Sequence, residues 1–270
     1  RLDAISGSTM FGIDIFAQFV DVNMNYPSNW QQNGNPISIA SFDQKKPRIK
    51  SYNETAYIVW GDLRNGEDVF IQSLRHDEPN GLWASNYNSE VCGPMLLSYD
   101  NYCLDDNSRV DGKRVSLTND IDTSDIPRSQ EEVRLTAGAS GVWVVYEDQI
   151  PDDIPSLDIF VQNFNLEGEP TFVDGGISVS SANYSQEAPI IRADDNGGVF
   201  TIWQDRRNGS TAIYTQYLTI GGVQLSTNGV ELNSGIDWDG GLVDDEYNNY
   251  NKSKAHSKSI YLGSNQTFVY

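Results

Sequence analysis

Apolar and polar positions along this chain switch over short distances and never settle into a helical period. Short apolar runs such as Ala56-Tyr-Ile-Val-Trp60, Gly141-Val-Trp-Val-Val-Tyr146 and Ile159-Phe-Val161 alternate with stretches rich in Asn, Asp, Gly and Ser. Several of these runs are apolar on successive positions, which predicts strands buried on both faces. None is long enough to cross a bilayer. The pattern predicts an all-β protein without membrane insertion.

The runs repeat as one phrase. Trp203-Gln-Asp205-Arg-Arg207-Asn208-Gly209 leads into Ala212-Ile-Tyr214-Thr-Gln216, and Trp60-Gly-Asp62-Leu-Arg64-Asn-Gly66 leads into Asp68-Val-Phe70-Ile-Gln72. Asn-Gly between two apolar runs signals a hairpin, because both residues tolerate positive φ. A looser copy joins Tyr146-Glu-Asp148 to Asp158-Ile-Phe160-Val-Gln162, and the second half alone occurs as Asp14-Ile-Phe16-Ala-Gln18. The predicted units are a half at 8–40, a full unit at 46–118 with an insertion at 75–112, full units at 131–180 and 187–233, and a half at 257–270. Four sequential antiparallel strands per unit, joined by polar links, predict a β-propeller of about four blade equivalents in one domain, 1–270. The chain opens on the third and fourth strands of a unit and ends on the first two. It is expected to be either a ring closed by its termini, which removes free sheet edges, or a slice of a larger propeller. Arg1 is no translation start, so a processed or longer parent chain is expected.

Charge narrows the partners. The 270 residues carry a formal charge of −20 and a pI near 4.2, which argues against a nucleic-acid partner. An acidic surface suits an extracellular or cell-surface protein, and some Asp clusters would suit Ca²⁺, the one cofactor the composition suggests. Cys92 and Cys103 fall in the polar insertion and are expected to form a disulfide in an oxidising compartment, with free buried thiols as the alternative.

Candidate chemistry follows the repeat. Asp62, Asp148 and Asp205 stand two residues after each aromatic anchor and are expected to accept backbone N–H bonds in the following turn. Calcium is the alternative, strongest where Asp148 is followed by Asp152, Asp153 and Asp158. Gln18, Gln72, Gln162 and Gln216 end each third strand and are expected to bond neighbouring backbone. Arg48, Arg134 and Lys258 recur twelve positions before the anchors, with Arg192 one place off register. On first strands lining a central channel they would form an anion-binding site; the alternative is pairing with nearby Asp or Glu. Trp30, Trp83, Tyr87 and Trp238 lie in links, free to stack on sugar rings or to pack onto the blades. His76 and His256 form neither a zinc pattern nor a triad. A two-carboxylate glycosidase remains compatible with the composition.

The Trp-x-Asp-x-Arg-x-Gly phrase followed by an Ile/Val-Phe/Tyr-x-Gln strand resembles the repeat of secreted bacterial sialidase-like β-propeller proteins. The likeness is best at 46–74 and 187–233 and partial at 131–180. The sialidase Asp-box, Ser-x-Asp-x-Gly-x-Thr-Trp, is only echoed by Asp195-Asn-Gly-Gly-Val-Phe-Thr-Ile-Trp203. The resemblance implies a propeller from a large secreted or surface chain. The expected function is a non-catalytic extracellular module for surface assembly, adhesion or glycan binding, with other surface proteins or glycans as partners and self-association open. The alternative is a glycan-active enzyme, a sialidase-like hydrolase or a lyase, using the channel Arg and Lys residues and carboxylates.

Overall fold

The computed structural model describes residues 12–40, 42–64, 67–83, 112–116, 129–150, 156–194, 196–232, 259–263 and 266–269. Among them there is no helix, and every regular element is a strand. Three complete sheets follow one another along the chain. The first runs β3 (Gln44–Tyr52), β4 (Thr55–Asp62), β5 (Asp68–Leu74) and β6 (Lys113–Arg114). The second runs β7 (Gln130–Gly138), β8 (Gly141–Ile150), β9 (Ser156–Phe164) and β10 (Ile177–Ser180), and the third β11 (Gln186–Ala193), β12 (Val199–Asp205), β13 (Ala212–Leu218) and β14 (Val230–Glu231). In each, neighbours in sequence are antiparallel neighbours in space. Two-strand sheets flank them: β1 (Ile15–Ala17) with β2 (Asn35–Ser38), and β15 (Ser259–Gly263) with β16 (Gln266–Val269).

The repeat read from the sequence is in register in space. Trp60 faces Phe70, Tyr146 faces Phe160 and Trp203 faces Tyr214 across the same strand pair. The rings of all three pairs are stacked, with centroids 6.1, 6.2 and 6.1 Å apart. Asp62, Asp148 and Asp205 each face a glutamine that opens the first strand: Gln44, Gln130 and Gln186. Two residues further, each first strand bulges, and Lys46, Glu132 and Ala188 take φ near +50° (53°, 46° and 53°).

Buried side chains assign the sheets to a stack. One face of the first sheet (Ile58, Trp60, Phe70) packs with Ile15 and Ile37 of the two-strand sheet before it. Its other face (Tyr57, Val59, Val69, Ile71) packs with Val133, Val144 and Tyr146 of the second sheet. The second sheet in turn offers Trp143, Val145, Ile159 and Val161 to Ile191, Trp203 and Tyr214 of the third. Each anchor ring therefore faces the preceding sheet. Period-two alternation places successive apolar residues on opposite faces, so β5 is buried along its whole length. This accounts for the apolar runs. The first strands β3, β7 and β11 lie side by side, and β15 lies against β11.

Candidate functional site

Most of the repeated polar residues are occupied in holding the sheets. The indole Nε1 of Trp60 donates to Asp62 Oδ2 at 3.0 Å, and that of Trp203 to Asp205 Oδ2 at 2.9 Å. Asp62 also accepts the Arg64 amide and a two-pronged Arg64 guanidinium contact at 2.9 and 2.6 Å. Arg207 repeats this on Asp205 at 2.9 and 2.5 Å. Each guanidinium lies over the paired ring, 4.1 Å from Phe70 and 3.9 Å from Tyr214. Each also reaches the fourth strand of the preceding sheet, Arg64 to Ser38 and Arg207 to Ser180. The motif is a latch between sheets. Asp62 and Asp205 do accept the turn amides of Arg64 and Arg207, as the sequence suggested; the turn after Asp148 lies outside the described residues.

Three of the four third-strand glutamines, Gln72, Gln162 and Gln216, are likewise structural, while Gln18 is exposed. Gln72 Oε1 accepts the amides of Ser73 and Trp83 while its Nε2 donates to Trp83 O. Gln162 and Gln216 hold the matching segments at 172–173 and 226. Trp30 and Trp83 are buried against the sheets, which excludes them as open sugar platforms. Tyr87 and Trp238 lie outside the described residues.

Arg48, Arg134 and Arg192 do fall on the adjacent first strands. Each donates to the carbonyl before it: Arg48 to Pro47, Arg134 to Val133 and Arg192 to Ile191. The register corrects one expectation. Arg48 and Arg134 face Val59 and Val145, but the third-sheet residue in that place is Ile190, facing Ile202. Arg192 sits two positions on, in the place of Lys50 and Thr136: the turn from Asp194 to Gly198 is one residue longer than its counterparts, which adds one place to the one by which Arg192 is already out of register in the sequence. That extra length is held by Asp194, which accepts the amides of Asn196 and Gly198 and the Tyr217 hydroxyl. Lys258, Cys92, Cys103, Asp152 and Asp153 lie outside the described residues. Asp148 and Asp158 face each other directly, and among the described residues no cluster of three or more metal-ligating side chains forms.

The chemistry that the repeat does not explain gathers around Glu147. Its position is Gly61 in the first sheet and Gln204 in the third. Glu147 is 4% exposed and accepts the amide of Ala188, from the bulge of the next sheet, at 2.6 Å. Burial pushes its carboxyl up to about 7; the Ala188 amide opposes this, and the charges of Glu132, Glu187 and Glu131 add to it. Glu132 is driven the other way. Burial disfavours its charge, but Lys46 at 3.0 Å and Arg134 at 3.1 Å outweigh burial and hold it below the usual carboxylate value. Two carboxyls within electrostatic reach are thus separated in acidity. Sequence reading passed over both. The only available signal was a Glu between two anchor-phrase residues, in a strand buried on both faces.

No family model and no curated protein matches the chain. Similar solved structures include a thermostable family-43 glycoside hydrolase, with 14% identity over 73% of this chain and 56% of that one and a TM-score of 0.35. An endo-arabinase from Bacteroides thetaiotaomicron shows 13% identity over 69% of this chain and 61% of its own, at a TM-score of 0.35. A polysaccharide lyase, a PL25 ulvan lyase, shows 12% identity over 73% and 45%, at 0.39. The chain spans less than two thirds of each. Similarity this low identifies neither a family nor an activity.

Proposed function

We propose that the sheets are blades of a β-propeller that cleaves glycans outside the cell, with Glu147 as proton donor and Glu132 as the ionised partner. The observation that carries this is the opposite displacement of two carboxyls within electrostatic reach of each other: Glu147, buried and raised to about 7, and Glu132, held below the usual carboxylate value by Lys46 and Arg134. Such a split is what a general acid and a general base, or nucleophile, require at one pH. Glu147 would protonate the glycosidic oxygen as its bond to carbon breaks. Glu132 would activate water or attack the sugar carbon. Arg134 and Lys46 keep Glu132 ionised; Arg48 and Arg192, on the flanking first strands, would contact the sugar. With a net charge of −20, a neutral glycan suits the surface better than a polyanion.

The test is release of reducing ends from a panel of neutral polysaccharides. The wild-type protein should act on at least one, and Glu147→Gln and Glu132→Gln should each lower turnover at least a hundredfold. Full turnover by either variant would remove its residue from the chemistry. One observation favours a second reading, a non-catalytic glycan-binding or adhesion module: Asp62, Asp205, Arg64, Arg207, Gln72, Gln162 and Gln216 are all occupied in the framework. Binding to a glycan without any turnover by the wild-type protein would select it.

A further inference from the structure

Two large aromatic side chains stand in solvent at matching places, each on a backbone that bulky residues rarely adopt. Phe42 precedes β3 by two residues, and Tyr184 precedes β11 by two. Their φ values are 67° and 63°, in the left-handed region that is costly for a residue with a Cβ and uncommon outside Gly, Asn and Asp. The side chains are 41% and 61% exposed, and among the described residues neither ring contacts another.

Buried glutamines impose this geometry. Gln44 Nε2 donates to Ala40 O at 3.2 Å and Phe42 O at 3.0 Å, and Gln186 Nε2 to Ala182 O at 3.1 Å and Tyr184 O at 2.6 Å. Both glutamines are fully buried. The next carbonyl, of Asp43 or Ser185, accepts the amide of Leu63 or Arg206, three residues past the anchor tryptophan. Each link is thus clamped through its backbone with the aromatic ring left outside. The core makes no use of either ring, and strain of this kind collects at ligand clamps.

Their place is the second observation. Four residues beyond Phe42 is Lys46, whose ammonium lies 3.0 Å from Glu132; four beyond Tyr184 is Ala188, whose amide bonds Glu147 at 2.6 Å. Each aromatic lies at most about 14 Å along the chain from a residue that touches one of the two carboxyls. One stands on the sheet before Glu132 and Glu147, the other on the sheet after.

We propose that Phe42 and Tyr184 are stacking platforms that hold a neutral polysaccharide across the Glu132–Glu147 site, one on each side of the bond to be cleaved. A sugar ring has a face of C–H groups that packs on an aromatic ring while its hydroxyls stay in water. Recognition of this kind needs no cation, which suits a chain of net charge −20. Platforms on two different sheets select a polymer and place an interior stretch of it, not its end, over the carboxyls. The proposal rests on the Glu132–Glu147 reading for its position and adds the substrate's length and charge.

The experiment is affinity electrophoresis of the full chain through gels containing soluble arabinan, xylan, galactan or dextran, with the unfolding midpoint of each variant measured beside it. At least one of the four should retard the wild type, and Phe42→Asn or Tyr184→Asn should raise the dissociation constant at least about tenfold. Asparagine tolerates positive φ and the glutamine clamps bind only backbone, so both variants should unfold at or above the wild-type midpoint. Three results overturn the proposal: no retardation of the wild type by any of the four, unchanged retardation of both variants, or lost retardation with a lowered midpoint. Glu147→Gln separates this from the catalytic reading. Retardation that survives in Glu147→Gln and is lost in Tyr184→Asn upholds the platforms whatever the turnover. Polysaccharide turnover that is undiminished in both aromatic variants upholds the carboxyls and removes the platforms.

Discussion

Replacing Glu147 by glutamine should stabilise the protein at high pH. Moving a carboxyl from 4.5 to about 7 corresponds to about 3 kcal/mol between its protonated and ionised forms. The sign follows from which state holds the proton. Between pH 4.5 and 7 the unfolded chain has released it and the folded chain retains it, so stability falls by about 1.4 kcal/mol per pH unit. Below 4.5 the group is neutral in both states and costs nothing; above 7 the full penalty is present. Glutamine keeps a carbonyl for the Ala188 amide and carries no charge. Guanidinium unfolding at pH 4.5, 6 and 8 measures the difference. The wild type should lose roughly 2–3 kcal/mol relative to Glu147→Gln over that range, and the variant should be the more stable protein at pH 8. Parallel stability curves for the two proteins would refute the reasoning, because burial among carboxylates would then not be acting on this group.

Arg207→Ala strips the cation from Asp205, which is fully buried, and should cost about 3–5 kcal/mol in denaturant unfolding; lysine should restore only part, lacking the fork. Gly229→Ala at φ +79° would bring a Cβ within 2.4 Å of Trp203 Cη2 and should cost more than about 2 kcal/mol. Gly209→Ala, at φ +84° with nothing within 4 Å, should cost only about 1 kcal/mol; equal losses at the two sites would show that the indole contact is unimportant. Gln72→Ala leaves the Ser73 and Trp83 amides and the Trp83 carbonyl without their partner and should lower stability by roughly 2–4 kcal/mol. Arg134→Ala removes one of the two cations on Glu132 and should raise the pH at which turnover begins, with Lys46 retaining part of the effect; an unchanged acid limb would exclude that role.

The framework was legible because it is built from local rules repeated at one register. Asn208-Gly209 turns the chain between β12 and β13, with Gly209 at φ +84° and its amide on the Arg206 carbonyl, and a Trp two residues before an Asp can donate its indole N–H to that carboxylate within the same strand. The site was less legible because it depends on what crosses between sheets. Arg192 was assigned by counting from Trp203, and the longer Asp194–Gly198 turn shifted the count. The first-strand bulges were invisible too, since Lys46, Glu132 and Ala188 have no common chemistry, only a common φ. Glu147 reads as an ordinary strand residue until the next sheet delivers the Ala188 amide to it. Trp30 and Trp83, which the sequence left open as sugar platforms, are committed to the core by the segments that follow the third strands.

Carboxyl NMR titration of glutamate-labelled protein, with Glu147→Gln and Glu132→Gln used for assignment, tests the separation of acid and base most directly. The structure predicts one glutamate titrating near 7 that vanishes with the first substitution, and one titrating below 4.5 that vanishes with the second. Two ordinary titrations at these positions would contradict it.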